Sequence, residues 1–216
     1  MSLFISFEGI EGSGKTTQVK RLATGLEKHG YSVVVTREPG GCPIADQIRG
    51  ILLHPGNDRL VPEAELLLYA AARAQHVAEV IAPALDNGKV VLCDRYCDAT
   101  LAYQGYARGL DMGMVKQLNH LAAGSCVPRL TLLLDMLPDQ GIKRALHRNA
   151  NTDGPDEGRF EQEALAFHIK VRQGYLDLAR MEPHRIKTVD ATGTPDEVAA
   201  RIWTIVSKVL DCTENL

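Results

Sequence analysis

Gly9, Gly12, Gly14, Lys15 and Thr16 stand in the run Gly9-Ile10-Glu11-Gly12-Ser13-Gly14-Lys15-Thr16-Thr17, which fits the pattern GxxxxGK[ST]. Glycines let successive backbone N–H groups face one concavity, a lysine reaches terminal phosphate oxygens, and a neighbouring hydroxyl is a ligand for Mg²⁺. The run predicts a nucleotide-phosphate cradle in which Thr16 holds the metal. None of Ile10, Glu11, Gly12 and Ser13 is basic, so phosphoryl transfer here needs a cation from elsewhere. Arg144, Arg148 and Arg159 flank a polar stretch, and Arg144 and Arg148, four apart, share one face of a helix. They are candidates for a lid that brings arginine to bound nucleotide; the plainer reading is a solvated basic face. Glu11 is out of place in an anion cradle. It either faces a hydroxyl or the metal's surroundings, or it is an ordinary solvent-facing loop residue.

A second set of cations lies at strand ends. Arg37 follows the run Val33-Val34-Val35-Thr36, and Arg95 follows Asp94 after Val90-Val91-Leu92-Cys93. Two guanidinium groups converging there would grip a second phosphate, as a nucleotide-monophosphate acceptor requires and a simple ATPase does not. Asp94 takes the place where such enzymes hold Mg²⁺ directly or through water, the alternative being an ion pair with Arg95. Tyr69 and Arg73, four apart with alanines between them, share a helix face. An aromatic plate and a planar donor fork hold a nucleobase, although an aromatic at this spacing is as readily a core residue. Tyr103 and Gln104 carry the same ambiguity.

These residues need a scaffold, and the chain supplies one. Short β-branched or leucine-rich runs at 3–8, 32–36, 89–93, 130–135 and 185–190 alternate with helical patterns at 16–29, 62–86, 112–123, 139–148, 160–181 and 195–210. That alternation predicts an α/β fold with a parallel sheet covered on both faces. Ligands bind beyond the carboxyl ends of such strands, where Glu8, Arg37, Asp94, Asp135 and Asp190 stand. Gly30 closes the first helix, and Pro83 should kink or divide the stretch 62–86. Segment 149–158 is Asn, Asp, Gly and Pro with almost no apolar side chain, a mobile loop by composition.

The totals remove other classes. The 216 residues suit a single domain, and 45% hydrophobic with 24% charged residues is ordinary for a globular protein. A net charge of −3 gives no basic excess for wrapping nucleic acid. No apolar stretch, the longest being 66–72, approaches the roughly 18 residues that span a bilayer. No signal peptide is visible, and five cysteines without a CxxC spacing point to a reducing cytoplasm. The seven histidines show no HExxH pairing, so each is expected at the surface or in packing.

Taken together, FEGIEGSGKTT, TREPGG, ELLLYAAARAQ, DRY followed by AYQG, and KRALHR before a lid resemble the bacterial thymidylate kinases, P-loop nucleoside monophosphate kinases, from Phe4 to about Val209. The resemblance implies a five-stranded three-layer P-loop fold with a lid at about 144–160. It implies transfer of the ATP γ-phosphate to dTMP, giving dTDP, in a Mg²⁺-dependent cytoplasmic homodimer. Carried over by position, Gly9, Ile10, Glu11, Gly12, Ser13, Gly14, Lys15, Thr16 and Thr17 hold ATP phosphates, with Arg144 beside them and Asp190 and Thr192 along the adenine edge. Arg37 and Arg95 hold the acceptor phosphate, Tyr69 stacks on thymine, and Arg73 bonds its carbonyl edge. Thr100, Tyr103 and Gln104 complete the base pocket, and Glu11 faces the deoxyribose. The metal falls to Thr16 and Asp94. The chain resembles the lid-arginine type: Lys15, Arg95 and Arg148 are the catalytic group, with Arg144 and Arg159 as the other lid candidates. Two departures stand out, a lengthened stretch at 149–158 and Cys42-Pro43 after TREPGG. The rivals are a kinase for dUMP or a deoxynucleoside, a GTPase-like switch, which lacks an NKxD segment here, and an inactive nucleotide-binding module.

Overall fold

Runs of Val, Leu, Ile and Phe form five strands: β1 Leu3–Glu8, β2 Val33–Arg37, β3 Val90–Asp94, β4 Leu130–Asp135 and β5 Ile186–Asp190. All pair in parallel, in the order β2-β3-β1-β4-β5. The computed structural model describes residues 2–149 and 158–214, and their side chains apart from those of 148, 149 and 212–214. Each central strand is buried along almost its whole length, whereas β2 and β5 at the edges alternate with exposure. Leu3, Ile5 and Phe7 enter the main core cluster and Phe4 a second one, so β1 feeds two layers with period two.

Nine α-helices flank the sheet among the described residues: α1 Lys15–Lys28, α2 Pro43–Leu53, α3 Pro62–His76, α4 Ala82–Asp86, α5 Cys97–Thr100, α6 Met112–Ala123, α7 Pro138–Asn149, α8 Leu165–Met181 and α9 Pro195–Glu214. The fold is the three-layer α/β arrangement that the sequence predicts. Strand bounds shift by no more than one residue, and Gly30 stands just beyond the α1 cap with φ +85°. The stretch 62–86 is divided just before Pro83, as expected. The chain winds wider over Val77–Ile81, where the Ala82 N–H reaches back to the Val77 carbonyl, and Pro83 falls in the first turn of α4, where its missing donor costs little.

Two expectations need correction. Residues 43–53 and 97–107 are helical although the sequence reading leaves them unassigned, the second through α5 and a wide-wound continuation, Leu101–Ala107. The helix expected over 160–181 starts only at Leu165, because Phe160 is drawn into an aromatic cluster with Tyr103 and Phe167. The polar loop expected at 149–158 lies almost wholly outside the described residues.

β1 is the middle strand, and the chain builds β2 and β3 on one side of it before β4 and β5 on the other. The loop after β1 therefore stands where the direction of winding reverses, the usual ligand crevice of an open parallel sheet.

Candidate active site

The loop after β1 turns on glycines. Gly12 and Gly14 have φ of +71° and +92°, and a Cβ on Gly12 would lie 2.0 Å from the carbonyl oxygen of Gly141. Gly141 in α7 is equally tight, since its own Cβ would lie 2.4 Å from the Glu11 carbonyl oxygen. Two glycines thus let the start of α7 touch the phosphate loop. Gly141, unremarked in the sequence reading, was visible as a glycine inside an otherwise helical pattern.

Lys15 folds back over this loop. Its Nζ donates to the carbonyls of Gly9 at 3.0 Å and Ile10 at 2.8 Å and, more weakly, to Ser13 Oγ. Burial and the nearby Arg95 push its ammonium down to about 8, against the pull of Asp94, Glu11 and Glu8. An arriving anion would restore the charge. Thr16 Oγ1 donates to Asp94 Oδ2 at 2.6 Å, and the β1–β3 and β2–β3 registers set Asp94 beside Phe7 and Arg37. This hydroxyl and carboxylate are hard oxygen donors facing the cleft. They fit a Mg²⁺ that keeps its waters and takes phosphate oxygens, and no cluster of three metal-ligating side chains exists among the described residues.

Arg95 is the one described non-glycine residue with positive φ, at +69°. L-residues enter this region at a cost, which the surroundings must offset. Its N–H donates to the Phe7 carbonyl at 2.9 Å, and its Nη1 donates to the Gly9 carbonyl at 3.0 Å and to the Tyr175 hydroxyl. Its Nη2 donates to Glu11 Oε1 at 2.9 Å while the guanidinium lies 4.9 Å over the Tyr103 ring. Glu11 Oε1 also accepts from the Tyr103 hydroxyl at 2.5 Å. Glu11 Oε2 lies 3.2 Å from His168 Nδ1 without hydrogen-bond geometry. Burial opposes ionisation of Glu11, but Arg95, His168, Lys15 and Tyr103 outweigh it and hold the carboxyl far below the usual range. Glu11 is therefore a buried anion turned from the loop's amides toward Arg95, and the solvent-facing alternative falls.

The other end of the cleft is a closed polar network. Arg73 is 2% exposed, and its guanidinium donates to Glu38 Oε2 at 2.7 Å, Asn119 Oδ1 at 2.5 Å and Thr100 Oγ1 at 2.9 Å. Glu38 Oε1 in turn lies 3.0 Å from His76 Nδ1, whose ring also contacts Thr36. Tyr69 packs against the core and also lines the cleft. One cleft of about 1100 Å³ is lined by Glu11, Gly12, Gly14, Lys15, Thr16 and Thr17 at one end and by Arg37, Tyr69, Arg73, Thr100, Tyr103 and Gln104 at the other, with Asp94 and Arg95 between. That is ample for two nucleotides' reacting ends.

Other expected residues stand apart. Gly9, Ile10 and Ser13 underlie the loop, and Ile10 belongs to the core. Arg144 is exposed on α7 and does not line the cleft. The Arg148 side chain lies outside the described residues. Arg159, the other lid candidate, is buried, and its Nη2 donates to Glu65 at 2.6 Å. Asp190 and Thr192 form an exposed turn after β5, braced by Arg201, and do not line the cleft. Asp135 is held by a two-pronged bond from Arg172. Sequence reasoning missed His168 and Tyr175, whose helix carried no motif, and the buried Glu65.

A family model described as Thymidylate kinase matches residues 7–202. The chain is 75% identical to a curated thymidylate kinase of Syntrophotalea carbinolica, covering 98% of each. It is 57% identical to that of Geobacter sulfurreducens, over 94% of this chain and 95% of the relative. The crystal structure of thymidylate kinase from Ehrlichia chaffeensis superposes with a TM-score of 0.76 at 33% identity, covering 95% of this chain and 98% of that one.

Proposed function

The chain belongs to the thymidylate kinase family, nucleoside monophosphate kinases that phosphorylate dTMP in nucleotide biosynthesis, and on that premise we propose that it moves the γ-phosphoryl group of ATP directly onto dTMP with Mg²⁺. The observation that carries this reading is the single cleft with a phosphate loop at one end and Arg37, Tyr69, Arg73 and Gln104 at the other. A donor and an acceptor bound at the two ends meet between Lys15 and Arg95.

In this reading the protein does little covalent work. The acceptor phosphate is already ionised near neutral pH, so the barrier is the repulsion of two anions and their alignment. Lys15 leaves the Gly9 and Ile10 carbonyls for the donor phosphates and regains full charge there. Arg37 and Arg95 take the acceptor phosphate. Glu11 keeps Arg95 oriented and offers its carboxylate to the sugar hydroxyl. Tyr69 stacks on thymine while Arg73 and Gln104 meet its polar edge, with Thr100 and Tyr103 behind them. Thr16 and Asp94 would hold Mg²⁺, which when bound neutralises charge on the β- and γ-oxygens. Arg148, reaching in from the lid at 144–160 with Arg144 nearby, neutralises charge that develops in transfer. Asp190 and Thr192 border the adenine.

The whole is one domain working in the cytoplasm as a homodimer. Exposed Ile44, Ile51, Leu67 and Leu121 on α2, α3 and α6 support a partner surface, and no helix among the described residues is long and apolar enough to cross a membrane. A coupled ADP-release assay with ATP and Mg²⁺ tests the reading, offering dTMP, dUMP, dCMP, dGMP, AMP and thymidine separately. Strong turnover on dTMP is expected, with little on thymidine or the other bases. Turnover on thymidine would overturn the acceptor-phosphate role of Arg37 and Arg95, and turnover on none would leave a nucleotide-binding module.

A further inference from the structure

Glu65 lies in the first turn of α3, fully buried, and has no part in the phosphate chemistry above. Its Oε1 accepts from Gln104 Nε2 at 2.8 Å and from Arg108 Nε at 3.3 Å. Its Oε2 accepts from Arg108 Nη2 at 3.2 Å and from Arg159 Nη2 at 2.6 Å. A buried carboxylate is tolerated when its oxygens are filled by charged donors, and two guanidinium groups fill these.

The consequence falls on Gln104, which is 1% exposed and lines the cleft beside Thr100 and Tyr103. A glutamine amide turned through 180° exchanges its NH₂ for its carbonyl and so reverses what it can read. Beside Glu65 that turn is blocked: it would set the amide oxygen against a carboxylate oxygen, losing a charge-assisted bond and adding repulsion. The NH₂ is therefore committed to Glu65, and the carbonyl oxygen is left on the far side as an acceptor. Thymine and uracil carry an N–H at N3, which an acceptor welcomes. Cytosine carries a bare lone pair there, which an acceptor repels.

We propose that Glu65 is a positioning residue for base specificity: by fixing the amide of Gln104, it makes the pocket accept pyrimidines protonated at N3 and reject cytosine. This rests on the dTMP reading above. A site that must leave a buried polar group unpaired discriminates strongly, so the effect should be large.

The test measures kcat/KM for dTMP, dUMP and dCMP on one preparation of each protein, because ratios within a preparation are independent of the folded fraction. Wild-type turnover on dTMP comes first; its absence refutes the acceptor reading rather than the role of Glu65. Glu65→Gln places an amide that tolerates either orientation of Gln104, and it should lower the dTMP/dCMP ratio by at least about tenfold. The dTMP/dUMP ratio should stay within about twofold, since the two bases share the N3–H edge. Arg108→Met, which loosens the cluster but keeps the Glu65–Gln104 bond, should leave both ratios unchanged. If Glu65→Gln does not fold, Glu65→Gln combined with Arg108→Met restores the charge balance and is read the same way. A dTMP/dCMP ratio that stays at the wild-type value in a folded variant, an equal collapse of both ratios, or the same relaxation in Arg108→Met would overturn the proposal.

Discussion

The two ends of the cleft are built on different plans. Toward the acceptor end most charged groups are buried and already partnered, Arg37 being the exposed exception: Arg73 with Glu38, Asn119 and Thr100, Glu11 with Arg95 and Tyr103, and Glu65 with Gln104, Arg108 and Arg159. At the donor end the lysine rests on its own loop's carbonyls, and Arg144 stands exposed on α7. Base recognition needs donors and acceptors fixed before the ligand arrives, since a side chain ordered at binding costs roughly 0.5–1.5 kcal/mol. Charge neutralisation of a polyphosphate is less directional and tolerates assembly on binding. In the proposed function, the contrast separates a pocket that selects from a grip assembled on binding.

The sharpest way to break that contrast is Lys15→Ala. If the donor end acts mainly in the transition state, kcat should fall by at least about 10³-fold while the dTMP dissociation constant moves only a few-fold, because the hydrogen bonds of Lys15 stay within its own loop. Rapid-quench turnover together with calorimetric dTMP binding reads both quantities. An equal loss of dTMP affinity would show the two ends to be one coupled unit. Arg148→Ala comes next, with an expected fall in kcat of about 10²-fold and little change in acceptor affinity. Normal turnover in that variant would move the role to Arg144, since Arg159 is tied to Glu65.

The same division explains what the sequence reveals. The donor loop is legible because its residues are contiguous and glycine-bound, and the central strands because burial on both faces demands unbroken apolar runs. Helix α2 escaped notice, with proline in its first turn, Gly50 inside and exposed Ile44 and Ile51 blurring its period. The helix after β3 winds wider across Leu101–Ala107, so the period of 3.6 is lost where Tyr103 and Gln104 stand. The acceptor network is least legible of all. Glu65, Gln104 and Arg159 are distant in sequence and meet only once α3, the segment after α5 and the chain before α8 have packed. Residue types named Tyr69, Arg73 and Gln104 as base readers; nothing local could name the carboxylate that orients one of them.

Glu8 sits at the seam between the two plans and gives the subtlest test. It precedes Gly9 of the donor loop, yet its carboxyl accepts from the Tyr96 N–H at 2.7 Å, just after Arg95, and from the Tyr175 hydroxyl at 2.7 Å. Burial, reinforced by Asp98, pushes Glu8 up from 4.5 to about 8, with Tyr175, Arg95 and the Tyr96 N–H only partly offsetting it. A folded pKa above the unfolded one means that the folded protein holds more protons between those two values. The contribution of Glu8 to stability is then fully present below about pH 4.5 and is lost as pH rises through about 8, at no more than about 1.4 kcal/mol per pH unit. Glu8→Gln keeps an oxygen for the Tyr96 N–H and never titrates. Urea unfolding at several pH values between about 5 and 8 should therefore show wild-type stability declining relative to the variant as pH rises. Parallel curves would mean that Glu8 is already ionised in the folded protein, balanced by Arg95, and that the seam belongs electrostatically to the acceptor end.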